Sequence, residues 1–297
     1  EYNLSVGVTA LDAVTTGDAN IAIGHDALSA NTTGSGNLAI GYGAYDNADT
    51  EGNNMAIGRD ALGGSINGGE TNIAIGNYSL DANTSGDLNI GLGYVSLTQN
   101  STGSSNVGIG NSAMQLNQTG SSNTTLGNNS MKSSLSSSYN TAVGAEALFD
   151  ANRTADTDGY NTALGYNAGN TGTNDITTGN KNTLLGASTA ASAAAGTNQT
   201  VIGFGASGTA DNSVTIGNSS VTAWYPGSDD TADLGSNSVE FKDLYIDGTA
   251  NLDAVDIDGG AIDGTAIGAN SASTGAFTTI TASTSLDVTG STGIILE

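Results

Sequence analysis

A nine-residue pattern of aliphatic, small and glycine positions recurs along most of the chain. Typical copies are NIAIGHDAL at 20–28, NLAIGYGAY at 37–45 and NMAIGRDAL at 54–62. In each copy an aliphatic residue stands three positions before a glycine, another stands directly before it, and a small residue lies between them. Because side chains alternate between the two faces of a β-strand, the pattern predicts a short strand that ends at each glycine.

The glycine that follows each predicted strand marks the register of the repeat. The marks are Gly7, Gly24, Gly41, Gly58, Gly76, Gly93, Gly110, Gly127, Gly144, Gly165, Gly186, Gly203 and Gly217. Most of them are 17 residues apart, and an Asn stands four positions before the glycine in eleven of the thirteen copies. One copy is too short to bury its own aliphatic residues, so the repetition predicts coils that stack to form a shared core.

A second short stretch and two turn-rich linkers complete each repeat. The second stretch pairs a small residue with an apolar one, as in Ala27-Leu28 and Ala61-Leu62. We therefore predict an all-β fold over residues 1–221, a parallel β-roll or β-solenoid of about 13 coils with two strands in each coil. The Asn is expected at a corner where stacked side chains hydrogen-bond, and the Gly at the next corner, where coils approach closely. The motif positions in this interpretation are Asn20, Ile23, Gly24, Asn37, Ile40, Gly41, Asn54, Ile57, Gly58, Asn140, Val143 and Gly144.

The alternation also predicts which side of each strand faces inward. The aliphatic residues are expected in the core, which leaves the small residue between them on the outer face. An outer strand face open to water would more often carry Thr, Lys or Glu, so the small residues are expected to pack against another copy of the chain. These candidates for a trimer interface are Ala22, Ala39, Ala56, Ala74, Gly91 and Gly108. In the alternative interpretation, the small residues fit a tight internal layer.

The pattern changes towards the end of the chain. From Thr124 onward the position three before the glycine holds Thr, which predicts a thinner and less apolar second half of the solenoid. Residues 222–248 contain the only Trp and the only Pro, and we interpret them as a neck. Apolar residues in 249–297 are too sparse for a core made by one chain, so this segment is predicted to form a slender trimeric β shaft or assembly tail.

Charge limits the partners that the chain can have. The 29 acidic residues outnumber the 5 basic ones, for a formal net charge of −24. Such a surface repels phosphate, so we predict no nucleic-acid partner. No apolar run approaches the ~20 residues of a membrane span, so no membrane insertion is predicted.

Few residues have the pattern of a chemical site. His25 is the only histidine and is followed by Asp26, but its position in the repeat is variable, so we predict no catalytic residue and no enzyme activity. A glycan depolymerase would need a pair of carboxylates, and no pair is singled out among the acids. Acidic clusters near Gly are typical of Ca²⁺ loops, and the alternative is an acidic surface exposed to solvent. The Ca²⁺ candidates are Asp156, Asp158, Asp229, Asp230, Asp253, Asp256 and Asp258, and no other cofactor is predicted.

The repeated phrase N-x-A-I-G-x-x-A-L resembles the head repeat of trimeric autotransporter adhesins. The variants YNTAVGAEAL at 139–148 and YNTALGYNAG at 160–169 are similar to head repeats in tail-fibre-like proteins of phages and marine bacteria. Residues 223–248 resemble a segment found in phage tail and tail-fibre proteins. The resemblance implies left-handed parallel β-rolls in which three chains lie side by side as a homotrimer.

These observations predict a structural, non-enzymatic fibre, most like a phage tail fibre, located outside the cell or on a virion. It would attach to a glycan or protein on a host surface through variable residues of the repeat. Those residues are His25, Tyr42, Tyr45, Tyr78 and Tyr94. The alternatives are a bacterial cell-surface adhesin and an extracellular matrix filament that assembles end to end.

Overall fold

The computed structural model describes residues 2–151 and 158–225, together with 234, 238, 239, 241–243 and 245–247. Residues 1–225 form one compact unit, and residues 226–297 group separately. The predicted shaft and much of the predicted neck lie outside the described residues. Helices are absent from the described segments, so none of these segments supplies a helix long and apolar enough to cross a membrane.

Thirteen strands of three residues form one parallel sheet, in the order of the chain. They are β1 (Leu4–Val6), β2 (Ile21–Ile23), β3 (Leu38–Ile40), β4 (Met55–Ile57), β5 (Ile73–Ile75), β6 (Ile90–Leu92), β7 (Val107–Ile109), β8 (Thr124–Leu126), β9 (Thr141–Val143), β10 (Thr162–Leu164), β11 (Thr183–Leu185), β12 (Thr200–Ile202) and β13 (Val214–Ile216). Each strand pairs with the next at the same position of the repeat, as Leu4 does with Ile21. The prediction of a parallel β-solenoid of about 13 coils is confirmed.

Each coil contains one strand, whereas the sequence analysis predicted two. The second stretch hydrogen-bonds from coil to coil, as Leu28 N does to Ala44 O at 3.1 Å. Asp26 and Leu28 nevertheless have φ values of +58° and +52°, and the matching residues of most other coils are similar. Residues in this left-handed region cannot continue a strand, so the chain turns while its backbone groups remain paired with the neighbouring coils.

A row of buried Asn side chains ties successive coils together. The Oδ1 atom of each motif Asn accepts the backbone N–H of the next one, for example from Asn37 to Asn20 at 2.9 Å and from Asn54 to Asn37 at 2.9 Å. The row continues from Asn3 to Gln199. The Nδ2 atom of the same side chain usually donates across the coil, as Asn20 does to Gly34 O at 2.8 Å. One side chain therefore satisfies two backbone groups at the corner before the strand.

The motif glycine is required both by its backbone conformation and by the space between coils. Gly24 has a φ of +140°, which side-chain-bearing residues rarely adopt. A Cβ atom on Gly24 would lie 2.2 Å from the backbone oxygen of Gly41 in the next coil. The same contact recurs along the column of motif glycines, so the coils can stack at the spacing of a parallel sheet only without a side chain there.

The core lies on the opposite side of the strands from the one that the sequence analysis predicted. The small middle residues Ala22, Ala39, Ala56 and Ala74 are fully buried within one chain, and Gly91 and Gly108 are buried as well. They therefore cannot face a neighbouring chain. Across the interior they meet a second column of fully buried residues, which we call the Leu column. It includes Leu28, Leu62, Leu80, Leu97, Met114 and Leu148. The aliphatic motif residues Ile23, Ile40, Ile57 and Val143 are only half-buried and point outward.

The width of a coil explains this inversion. Its interior already contains the Leu column and the buried Asn side chains, and only small residues fit between them. Sizes compensate locally: a Cβ on Gly91 would lie 2.4 Å from the Oγ of Ser79. Likewise, Gly169 leaves room for the larger Leu184. The Thr residues at the first position of β8 to β12 lie on the outer face, whereas Thr125 in the middle of β8 is fully buried.

Candidate functional site

The outer face of the sheet carries two columns of side chains, from the first and third positions of the strands. The third position is aliphatic in every strand: Val6, Ile23, Ile40, Ile57, Ile75, Leu92, Ile109, Leu126, Val143, Leu164, Leu185, Ile202 and Ile216. The first position is aliphatic or Met in eight strands, namely Leu4, Ile21, Leu38, Met55, Ile73, Ile90, Val107 and Val214. Thr occupies the first position in β8 to β12. We call this surface the aliphatic face.

Within the described residues, the aliphatic face is open to solvent and carries no charge. All its side chains are half-buried or exposed. No Asp, Glu, Lys or Arg occupies either column, although the chain has 29 acidic residues elsewhere and around it. Charge is thus excluded from one continuous strip of the surface.

The dimensions of the aliphatic face suit a protein interface. Twelve steps of ~4.8 Å make it roughly 58 Å long, and two columns with their flanks make it ~10–15 Å wide. Its area is therefore roughly 600–900 Å², close to the ~800 Å² that each partner buries in a standard interface. Exposed apolar patches of this size usually mark an interaction site.

Aromatic and cationic side chains form a ladder beside the aliphatic face. The rings of His25 and Tyr42 stack with centroids 5.2 Å apart, and Arg59 lies 5.4 Å from the Tyr42 centroid. Arg59 also lies 5.9 Å from the ring of Tyr78, which meets Tyr94 edge-on at 6.3 Å. Because neighbours from both adjacent coils cover the ring of Tyr42, its hydroxyl edge is left for outside contacts rather than its faces.

Several carboxylates lie close together next to this ladder. The pKa of Asp46 is raised to about 6, and burial is the largest cause. Repulsion by the carboxylates of Asp60, Asp26 and Asp81 contributes to this shift, and a hydrogen bond to the Asp46 backbone opposes it. Burial and the charge of Asp60 also raise the pKa of Asp81. Asp46 and Asp81 therefore bind a proton at higher pH than isolated carboxylates would.

The predicted contact residues differ in how far they are exposed to solvent. Tyr42 and Tyr94 are exposed and Tyr78 is half-buried, but Tyr45 is fully buried in the Leu column. Its hydroxyl accepts a hydrogen bond from Asn54 Nδ2 at 2.5 Å, so Tyr45 is a core residue and its assignment to a contact surface was wrong. The Nδ1 atom of His25 pairs with Asp26 Oδ2 at 2.6 Å. In the described part of the chain, no Ser or Thr hydroxyl hydrogen-bonds to this imidazole.

Of the seven Ca²⁺ candidates, the structure describes Asp158 alone. Its Oδ2 accepts a hydrogen bond from the hydroxyl of Tyr160 at 2.8 Å. Within residues 2–151, 158–225 and the short described stretches beyond, no three acidic or His side chains are close enough to hold a metal ion. The remaining candidates, which are Asp156, Asp229, Asp230, Asp253, Asp256 and Asp258, lie outside the described residues. The Ca²⁺ sites stay a prediction.

Comparison of the chain with known proteins found no match. The chain matches no protein-family model, no curated protein and no solved structure. Any inference about the function of this parallel β-solenoid therefore rests on the geometry of its own surface.

Proposed function

We propose that this chain is the subunit of a structural, non-enzymatic extracellular fibre, in which three copies lie side by side with their aliphatic faces together. The uncovered aliphatic face carries this proposal. A strip of ~600–900 Å² removed from water at ~25 cal/mol per Å² would contribute roughly 15–22 kcal/mol for each chain before the entropy of association is subtracted. A second copy is the partner that has an equally long and equally spaced uncharged strip.

The number of copies is inferred from the motif. The repeated phrase resembles the heads of trimeric autotransporter adhesins, and a three-fold axis brings three equivalent strips together along one line. The acidic surface then points away from the axis on every side. The ladder beside the aliphatic face would lie at the edge of each contact between chains.

The resulting rod would attach to a surface, most like a phage tail fibre. Stacked coils make a stiff spacer, and every coil presents a turn whose residues can vary without changing the core. The proposal places the fibre outside the cell or on a virion, with a host surface glycan or protein as its partner.

The experiment that tests assembly is sedimentation velocity of the native chain and one charged variant. The wild type is expected at three times the chain mass of 29.2 kDa. Ile57→Asp places carboxylates in the centre of the proposed contact and should give a folded monomer. The matched control is Thr102→Asp, an exposed linker position away from the aliphatic face, which should remain trimeric. A monomeric wild type, or an Ile57→Asp variant that still forms trimers, would refute the proposal.

A cell-surface adhesin or a self-assembling matrix filament is the second candidate, and one observation favours the filament. In the described residues, β1 pairs only with β2 and β13 only with β12, so the sheet presents two edges. Open edges recruit strands from other chains. Negative-stain microscopy distinguishes the two assemblies, because a tail fibre gives short rods of uniform length whereas a filament gives threads of indefinite length.

A further inference from the structure

A loop inserted into the tenth coil overhangs the two coils that follow. Residues 170–175 leave the solenoid after Gly169 and return at Ile176, whose N–H donates to Gly169 O at 2.9 Å. The Ile176 side chain is fully buried, so the far end of the loop is anchored in the core. Within the loop, Gly172 N donates to Asp175 Oδ1 at 2.6 Å, which holds the turn. The insertion is therefore a fixed projection.

The loop and the shortened side chains beneath it enclose an open hollow of about 380 Å³. Its wall is formed by Thr171, Thr173 and Asn174 of the loop. Its floor includes Asn167, Ser188 and Gly205, which occupy the same position in three successive coils. Ala190 and Ser207 also line the hollow, at the position that holds Leu or Met in most earlier coils.

The hollow is lined by neutral polar groups. Hydroxyls from Thr171, Thr173 and Ser188 and the amides of Asn167 and Asn174 surround it, and no charged side chain takes part in the lining. The Oδ1 atom of Asn167 is buried and has no hydrogen-bond partner. A buried acceptor of this kind calls for a donor. Hydroxyl groups that both donate and accept suit a ligand with many hydroxyls, whereas an anion would be repelled by the net charge of −24.

Two exposed aromatic rings adjoin the hollow along the chain. Tyr166 directly precedes Asn167, and Phe204 directly precedes Gly205. Their exposed fractions are 56% and 75%, and neither ring contacts another among the described residues. Unlike Tyr42, they have free faces. Apolar ring faces next to a few polar groups are typical of small-ligand sites, and the C–H faces of a sugar pack well on such rings.

We propose that this hollow binds a neutral sugar unit, a hexose or an N-acetylhexosamine, of a surface glycan. The proposal rests on the attachment function proposed above and names the class of receptor. The hydroxyls and amides that line the hollow would fix the orientation of the sugar. The site belongs to the insertion, so the seventeen-residue coils elsewhere in the solenoid lack it.

The test is saturation-transfer NMR of the full chain with four probes: the methyl glycosides of glucose, galactose, mannose and N-acetylglucosamine. At least one probe should bind with a Kd in the millimolar range, which is usual for a single sugar in an open site. Ser188→Tyr fills the hollow and should weaken this binding at least tenfold. The coil tolerates Tyr there, because Tyr78 occupies the equivalent position with a φ of +60°. Asn167→Ala removes one of the amides that line the hollow and should also weaken binding.

The matched control is Asn129→Tyr, which introduces Tyr at the same position of a coil without the loop. It should leave binding unchanged. Absence of binding by all four probes, or equal binding by wild type and Ser188→Tyr, would overturn the sugar site. Sedimentation of the same samples separates the two proposals. A trimer that binds no probe contradicts this site alone, and a monomer that binds a probe contradicts the fibre alone.

Discussion

The row of buried Asn side chains makes a quantitative prediction at Asn106. Its Oδ1 accepts the backbone N–H of Asn123 at 3.1 Å, and its Nδ2 donates to Gly120 O at 2.8 Å and to Asn89 Oδ1 at 3.1 Å. In Asn106→Ala, the buried N–H of Asn123 loses its acceptor, which costs about 1–3 kcal/mol. The two lost donations, and the bond that Oδ1 accepts from Asn123 Nδ2 at 3.0 Å, add about 0.5–1.5 kcal/mol each, for a total loss of roughly 2.5–7.5 kcal/mol.

An isosteric variant separates shape from hydrogen bonding at the same position. Asn106→Asp keeps an acceptor for Asn123 but turns a carboxylate oxygen towards two other oxygens in a fully buried site. Burial and these oxygens would raise the pKa of the new carboxyl in the folded state. Its folded form then binds a proton more tightly than its unfolded form, so stability should rise as pH falls from 8 to 4. The alanine variant should show no such recovery.

Two measurements test this prediction. Guanidinium unfolding followed by circular dichroism compares both variants with Asn128→Ala, an exposed position that should change stability by less than ~0.5 kcal/mol. Because stacked repeats need not unfold in one step, hydrogen exchange at the Asn123 amide provides a local measurement. That amide should lose its protection in Asn106→Ala. Equal unfolding midpoints for Asn106→Ala and Asn128→Ala, with the Asn123 amide still protected, would refute the role of the Asn row.

Three further predictions follow from the stacking of the coils. Gly110→Ala should destabilise the solenoid much more than Gly68→Ala in thermal unfolding, since both have positive φ but only Gly110 would place a Cβ 2.4 Å from the next backbone. Gly91→Ala should destabilise the solenoid, and adding Ser79→Ala should restore most of the lost stability. A double-mutant cycle should therefore give a coupling of about 1–3 kcal/mol. Additive effects would contradict the contact between these two positions. Asp46, whose folded pKa is about 6, destabilises the fold when ionised, so Asp46→Asn should raise the unfolding temperature at pH 8 but not at pH 4. The gain for this half-exposed group should stay below ~1 kcal/mol, and a gain that is equal at both pH values would contradict the shift.

The repeat itself could be predicted from the sequence because its causes are local. The motif glycine must avoid a contact with the next coil, and the Asn before each strand must satisfy backbone groups at a corner. The glycine therefore recurs in all thirteen copies and the Asn in eleven of them. The strands accordingly end at the predicted glycines, and the parallel pairing follows from equal positions in successive coils. The Ca²⁺ candidates and the trimeric shaft stay predictions.

Which face of the strand turns inward was decided by the tertiary structure. Alternation places Ile23 and Ala22 on opposite faces, but it does not say how much space lies on either side. The Leu column reaches the interior because residues such as Leu28 adopt a left-handed conformation, and in most coils the space opposite it then holds only Ala or Gly. One sign of this arrangement was present in the sequence, since Gly91 replaces Ala where Ser79 stands in the facing column.

The period of the repeat, the position of each strand and the separation of aliphatic from small residues could all be read from the residue pattern. Only the closed coil decided that the aliphatic side faces outward, because a coil of this circumference cannot hold two bulky columns. The proposal above is that another copy of the chain covers this row of Ile, Leu and Val side chains, which has no charge among them. Native trimers would therefore place these rows together, and a stable monomer with the aliphatic face in water would contradict that account.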